Sequence, residues 1–311
     1  MFPGMLDAMS RRDSVLAALV VAIWGVNFVV ISWGLDGMPP LTFAALRFAL
    51  VLVPAVFVVP RPTGPFRLVA AVGAFMSLGQ FGLLYSSIHA GMPSGLAALV
   101  LQSQVIFTIT ISSVRLRERP SSAQVAGVAL GVVGLVIVGF GRGGHVPLGA
   151  LLLCLGAGLS WAIGNVISRA SGIAGGLSLT VWSAVIVPVP LLTLSLVLDG
   201  PHAVGSALAD ISARSVLSTL FTGILASLLG YAIYTTLLSR YPAAQVAPWT
   251  LGVPAIAMVA AWVFLDERPN GAEALGGVLL LAGVLVSMLP VGQRAATPRW
   301  RSVERASSRI G

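Results

Sequence analysis

An arginine in hydrocarbon is costly enough to demand a reason. Arg47 is the only arginine well inside an apolar run of this chain. At 1.5 Å of rise per residue it would lie about 10 Å along a helix from Pro40. A guanidinium at that depth can hold a carboxylate in a two-pronged fork. It can also snorkel toward the headgroups, or bond to carbonyls of a neighbouring helix. Trp24 and Asn27 are three residues apart, and Trp161 and Asn165 four. Either spacing places the pair on one helix face. A buried amide needs partners. Two Trp/Asn pairs fit opposite walls of a central cavity, where each Asn offers a donor and an acceptor to a zwitterion. Their other use is to join helices to one another.

Gln102 and Gln104 are expected about 200° apart on one helix, at 100° per residue, and so not to face one cavity together. Gln104 heads a polar stripe with Thr108 and Ser112, whereas Gln102 shares its side with Gly95 and Ala98. Gln80, with Ser77 and Ser87, forms a weaker polar face. Tyr85 and Tyr234 each offer a ring and a hydroxyl for binding or gating, or serve as interfacial anchors. Trp249 is bulky enough to narrow a cavity. Pro188, Pro190, Pro248 and Pro254 interrupt apolar runs, and broken helices supply free carbonyls and hinges.

Other chemistry is missing. No Asp or Glu lies deep in an apolar run, which argues against a buried carboxylate that exchanges protons for cations. His89, His145 and His202 lie at the ends of runs or between them, with no cluster of His, Asp and Glu nearby, so no metal site is expected. The single cysteine, Cys154, allows no intrachain disulfide and reads as a small buried hydrophobe. No glycine-rich phosphate loop occurs, and no cofactor is expected.

The elements that must position these groups are membrane helices. Of 311 residues, 57% are hydrophobic and only 9% charged, and the mean hydropathy is +0.97. Soluble domains carry about 25% charged residues, so a soluble enzyme, a disordered chain and a secreted disulfide scaffold are excluded. A helix needs about 20 apolar residues to cross the hydrocarbon core. Ten runs meet that length: 14–35, 40–59, 66–88, 93–114, 121–140, 147–169, 177–198, 215–238, 243–265 and 271–289. Short separators such as Asp36-Gly37, Pro60-Arg61-Pro62 and Tyr241-Pro242 join them, and only 199–214 makes a substantial loop. Arg11-Arg12 precedes the first run without a cleavage site behind it, so an uncleaved first span is expected. Met1, Met5 and Met9 all remain open as starts.

The net charge of +8 comes from arginine alone, since the chain has no lysine. It sits between apolar runs, so membrane orientation explains it better than nucleic acid does. With the N-terminus inside, Arg11, Arg12, Arg61, Arg67, Arg115, Arg117, Arg119, Arg169 and Arg240 fall on the cytoplasmic side. So do Arg294, Arg299, Arg301, Arg305 and Arg309. Arg142, Arg214 and Arg268 fall outside, together with Asp36, Asp199, Asp210, Asp266 and Glu267. Both termini are therefore expected in the cytoplasm. The basic tail is expected to be disordered and to touch anionic lipid.

Arg115-Leu-Arg-Glu-Arg-Pro120 is echoed by Phe264-Leu-Asp-Glu-Arg-Pro269, which sets Glu118 and Glu267 149 residues apart. The same offset pairs Tyr85 with Tyr234, Pro93 with Pro242, Gly127 with Gly276, Leu130 with Leu279 and Gly134 with Gly283. Each copy holds about five spans, so the second must be inverted, as in alternating-access carriers. The expected organisation is an N-terminus over 1–13, repeats over 14–143 and 144–290, and a tail over 291–311. Gly127, Gly131, Gly134, Gly276 and Gly283 permit close helix approach, within the chain or across a homodimer.

The whole chain before the tail resembles the EamA family of the drug/metabolite transporter superfamily. The likeness rests on Trp24-Gly-Val-Asn27-Phe28, Met38-Pro-Pro40, Leu46-Arg-Phe48, Gly91-Met-Pro-Ser-Gly-Leu96 and Leu101-Gln-Ser-Gln104. Trp182-Ser-Ala184, Val246-Ala-Pro248 and Leu265-Asp-Glu-Arg268 complete it. The resemblance implies an all-α bundle of ten transmembrane helices in two inverted five-helix repeats. It implies export of small metabolites across a bacterial inner membrane, with cysteine and O-acetylserine as cargo. It also implies that an arginine at position 47 recurs whatever the cargo, and that the Glu-Arg-Pro ends are landmarks rather than ligands. Other amino acids, purines or neutral drugs stay open as cargo, as does a sensor or channel that does not carry. A membrane enzyme would need a catalytic constellation, and none is visible.

Overall fold

The computed structural model describes residues 9–141, 146–173 and 176–289. The expectations for residues 1–8, for Arg142 and His145 and for the basic tail lie outside them. The described residues are helical, with no strand among them. Ten helices among them are long and apolar enough to cross a membrane: Arg11–Gly34, Pro40–Val58, Phe66–His89, Ser94–Arg115, Ser122–Gly141, Leu148–Ser171, Leu177–Leu198, Ala213–Arg240, Ala247–Leu265 and Gly271–Met288. They are called the first to tenth spans. Between the seventh and eighth lies a short helix, Pro201–Ala209, within the segment expected to be loop.

Local chemistry sets the ends. The Ser10 hydroxyl accepts from the backbone N–H of Asp13 and so caps the first span. Pro40 opens the second at a position where no N–H is needed. Gly37 turns between them at φ 77°, a value glycine adopts without penalty. Asn270 and Glu273 form a reciprocal capping box at the start of the tenth.

Neighbouring spans alternate in direction, so their ends form two faces. On one, Asp13 at the start of the first span takes hydrogen bonds from Arg240 (3.1 Å) and Tyr241 (2.8 Å) at the end of the eighth. There too Arg169 of the sixth reaches Glu118 beyond the fourth, at 2.7 Å. On the opposite face Glu267, beyond the ninth span, accepts from the backbone N–H groups of Ser94 (2.9 Å) and Gly95 (3.0 Å). A carboxylate on two free amides at a helix start satisfies groups that have no partner within the helix. Glu267→Ala is expected to lower stability by ~1–2 kcal/mol, read as a lower melting temperature of the purified protein. Unchanged melting would show that water serves those amides as well.

The 149-residue offset reappears in backbone detail. Arg117 and Asp266, paired by it, are the two non-glycine residues with positive φ among the described residues, at 55° and 54°. The third span widens into a π-helical segment at Ala74–Gly79 and the eighth at Phe221–Leu229. The fourth span breaks at Leu101 and Gln102, and the ninth opens with a 3₁₀ segment, Ala247–Leu251. The first span packs against the eighth and ninth, and the sixth against the third and fourth.

The fifth and tenth spans run against each other along their lengths. A Cβ on Gly134 would sit 2.5 Å from the Gly276 carbonyl oxygen, and one on Gly127 2.4 Å from that of Gly283. The glycine stripes are thus used inside the chain, between its two halves. Cys154 is fully buried among apolar neighbours.

Candidate functional site

At the middle of the bundle lies a cavity of about 400 Å³. Its walls come from the first, second, third, fourth, sixth, eighth and ninth spans, with Met288 at the end of the tenth. The lining runs from Ile31, Leu84 and Ala98 to Ala247 and Met288, which lie toward the face where the first span begins. Beyond Ile31 and Leu84, Phe43, Tyr85 and Met92 are buried in the core.

Nine of the eleven binding candidates line this cavity: Trp24, Asn27, Arg47, Gln80, Gln102, Gln104, Trp161, Asn165 and Tyr234. The Trp/Asn pairs of the first and sixth spans meet around one space. The Asn165 amide donates to the Gln104 side-chain oxygen at 3.2 Å. The Asn27 side-chain oxygen is buried without a partner. An acceptor left so is destabilising until something donates to it.

Arg47 is 3% exposed. Its Nε and one terminal nitrogen both donate to the Ser227 hydroxyl, at 3.2 and 2.9 Å, and the other donates to the Tyr85 hydroxyl at 3.0 Å. The guanidinium carbon lies 4.1 Å from the Phe81 ring centre. No carboxylate of the described residues pairs with it. The arrangement is neither snorkelling nor bonding to helix carbonyls. It is a buried cation held by neutral hydroxyls and aromatic faces.

The π-helical segment of the eighth span supplies this geometry. Widening the helix frees carbonyls. The Ser227 hydroxyl donates to Thr222 O at 2.8 Å, and Trp24 Nε1 donates to Ala226 O at 2.9 Å. In the third span Phe75 O accepts from the Ser160 hydroxyl of the sixth at 2.8 Å. Each π segment is thus tied to the first span of the other half. Trp24 also packs at 5.2 Å on Tyr231 and 5.3 Å on Tyr234. Trp24→Phe keeps a ring and loses the N–H, so stability is expected to fall by only ~1 kcal/mol in a thermal melt. A much larger drop would mean that the bond sets the shape of the π segment.

Three expectations are corrected. Gln102 and Gln104 do face one cavity, because the break at Leu101–Gln102 removes the regular turn that would have set them about 200° apart. Tyr85 does not line the space: it is fully buried beneath the wall, where it supports Arg47 and packs 5.3 Å from Phe43. Trp249 is 38% exposed and lies outside the lining. In a 3₁₀ turn residues i and i+3 stack, so Ala247 and Thr250 take the cavity side and Trp249 is turned away. Of the prolines, Pro254 reaches the cavity wall. Pro248 lies in the 3₁₀ segment, and Pro188 and Pro190 begin the second half of the seventh span after its break at Val185–Val187.

Tyr231, Phe28, Phe81 and Met76 also line the cavity and were missed. Tyr231 could have been found, three residues before Tyr234 on the same helix face. Ser227 could not, since only the π segment turns it to Arg47.

A ten-span helical bundle enclosing a central cavity fits a protein that moves small molecules across a membrane. The family profile of the EamA-like transporters matches residues 13–140 and again 148–289. The chain belongs to that family, and is a transporter rather than an enzyme. A protein of Escherichia coli strain K12 described as a probable amino-acid metabolite efflux pump is 40% identical over 96% of this chain and 100% of its own length. A probable terminal-alkyne amino-acid exporter of Streptantibioticus cattleyicolor is 29% identical over 90% of this chain and 95% of its own. A crystal structure 18% identical to this chain covers 90% of it, and 97% of that chain, with a TM-score of 0.57. That likeness concerns the fold.

Proposed function

We propose that this protein exports small amino-acid metabolites from the bacterial cytoplasm, cysteine and O-acetylserine among them, by alternating access. The observation that carries the reading is the pairing of charge and polarity in the cavity. Among the described residues no carboxylate pairs with the buried Arg47 and no group donates to the Asn27 side-chain oxygen. A zwitterion completes both: its carboxylate faces the guanidinium and its ammonium the amide oxygens of Asn27, Gln102 and Gln104. The two relatives with amino-acid cargo in their descriptions support the same class.

The directional part of the reading rests on charge. The arginine-rich face is taken as cytoplasmic, which places both termini there and makes the second five-span repeat the inverse of the first. The repeats then cover 14–143 and 144–290, and the inner membrane is the location. In this frame the cavity faces the cytoplasm, and the Glu267 cap and the core around Phe43 close the far side. Among the described residues no Asp or Glu lines the cavity, which favours exchange or uniport over proton coupling through a buried acid.

The test is counterflow in proteoliposomes loaded with labelled cysteine. External O-acetylserine is expected to stimulate saturable efflux over protein-free vesicles. Absence of counterflow with every amino acid tried would discard the reading.

A further inference from the structure

A second chamber, of about 180 Å³, lies beside the central cavity. Arg47, Met76, Phe81, Trp161 and Tyr231 line both spaces and form their common wall. Beyond that wall the chamber is bounded by Val51 of the second span, Val72 of the third, and Leu179, Thr180 and Val181 of the seventh. Its lining is mostly apolar, and it differs from that of the central cavity in the kind of polar group it carries. No amide side chain lines it; apart from Arg47 its polar side chains are Trp161, with an indole N–H, and the hydroxyl-bearing Ser77, Ser168, Thr180, Ser183, Ser227 and Tyr231. The Thr180 hydroxyl is already engaged on Gly176 O at 3.0 Å, and that of Ser183 on Thr180 O at 3.1 Å. Both spend their protons on their own helix, and Val51, Val72, Leu179 and Val181 make most of the remaining wall hydrocarbon. An apolar pocket next to a buried cation matches a ligand with a carboxylate at one end and a hydrocarbon chain at the other.

The geometry points to a side-chain subsite: while the cargo's carboxylate rests on Arg47, this chamber receives its apolar side chain, which makes unbranched aliphatic amino acids longer than alanine the tightest ligands. The inference rests on the reading of Arg47 as the carboxylate-holding group. It adds selection by chain length to that reading. Each methylene buried there should raise affinity by roughly fourfold, until the chamber is full.

The experiment is calorimetric titration of the purified protein with alanine, norvaline and norleucine, alongside the cysteine counterflow assay. Wild type is expected to bind more tightly by about fourfold for each added methylene. Thr180→Trp and Val51→Phe fill the chamber from two different spans. In both, the gain with chain length should vanish while alanine binding stays within about threefold, which also reports that the variant has folded. Equal binding of the three ligands by wild type would overturn the subsite, as would an undiminished gain in both filled variants. The latter would make the chamber an access route or an unused void. Absence of binding by all three would overturn it as well. Chain-length selection without counterflow would retain the subsite and remove the transport reading. Counterflow without selection would do the reverse.

Discussion

Arg47→Ala is expected to reduce amino-acid exchange in proteoliposomes by about 100-fold or more. The guanidinium is the only charged group in the cavity lining among the described residues. Truncating one partner of a buried, hydrogen-bonded charge pair costs about 2–5 kcal/mol, and tenfold corresponds to about 1.4 kcal/mol. Arg47→Lys keeps the charge and loses the fork that bridges Ser227 and Tyr85, so an intermediate loss is expected. A melting curve separates this effect from simple unfolding. Removing Arg47 leaves the fully buried Tyr85 hydroxyl without its donor, and a structural role would show there first. If Arg47→Ala exchanged cargo at the wild-type rate, the zwitterion reading would fall, and Arg47 would be a tie between the second and eighth spans.

Gly134→Leu is expected to have the largest effect on stability. A Cβ there would come within 2.6 Å of the Leu280 backbone nitrogen as well as 2.5 Å of the Gly276 oxygen. Both are main-chain atoms of a packed helix, which no rotamer change moves. Overpacking in a close-packed interior costs about 1–3 kcal/mol where side chains can give way. Here the tenth span itself must withdraw, so a loss above ~3 kcal/mol and a sharp fall in folded yield are expected. Gly149→Leu is the control, since a Cβ at Gly149 meets nothing within 4 Å. Equal melting of the two variants would show that the fifth and tenth spans are not held in this contact.

Much of the architecture was legible in the residue order. Membrane insertion is governed by the length and apolarity of local segments, properties a linear chain carries openly. The ten runs, the match between Glu118 and Glu267, and the glycines of the fifth and tenth spans could therefore be read without coordinates. The polar residues worth attention could be found too, because an amide or a guanidinium in hydrocarbon is conspicuous wherever it points. The direction in which they point was decided by tertiary structure. Gln102 reaches the cavity through a helix break, Trp249 leaves it through a 3₁₀ turn, and Ser227 meets Arg47 through a π segment. None of these follows from a regular 100° step. Such irregularities persist because groups distant in sequence hold them: Trp24 on Ala226, Ser160 on Phe75 and Arg47 on Ser227. Hydropathy is local and additive, so the sequence alone determined the spans. The side-chain directions that shape the cavity depend on hydrogen bonds between spans, which exist only once the halves have packed.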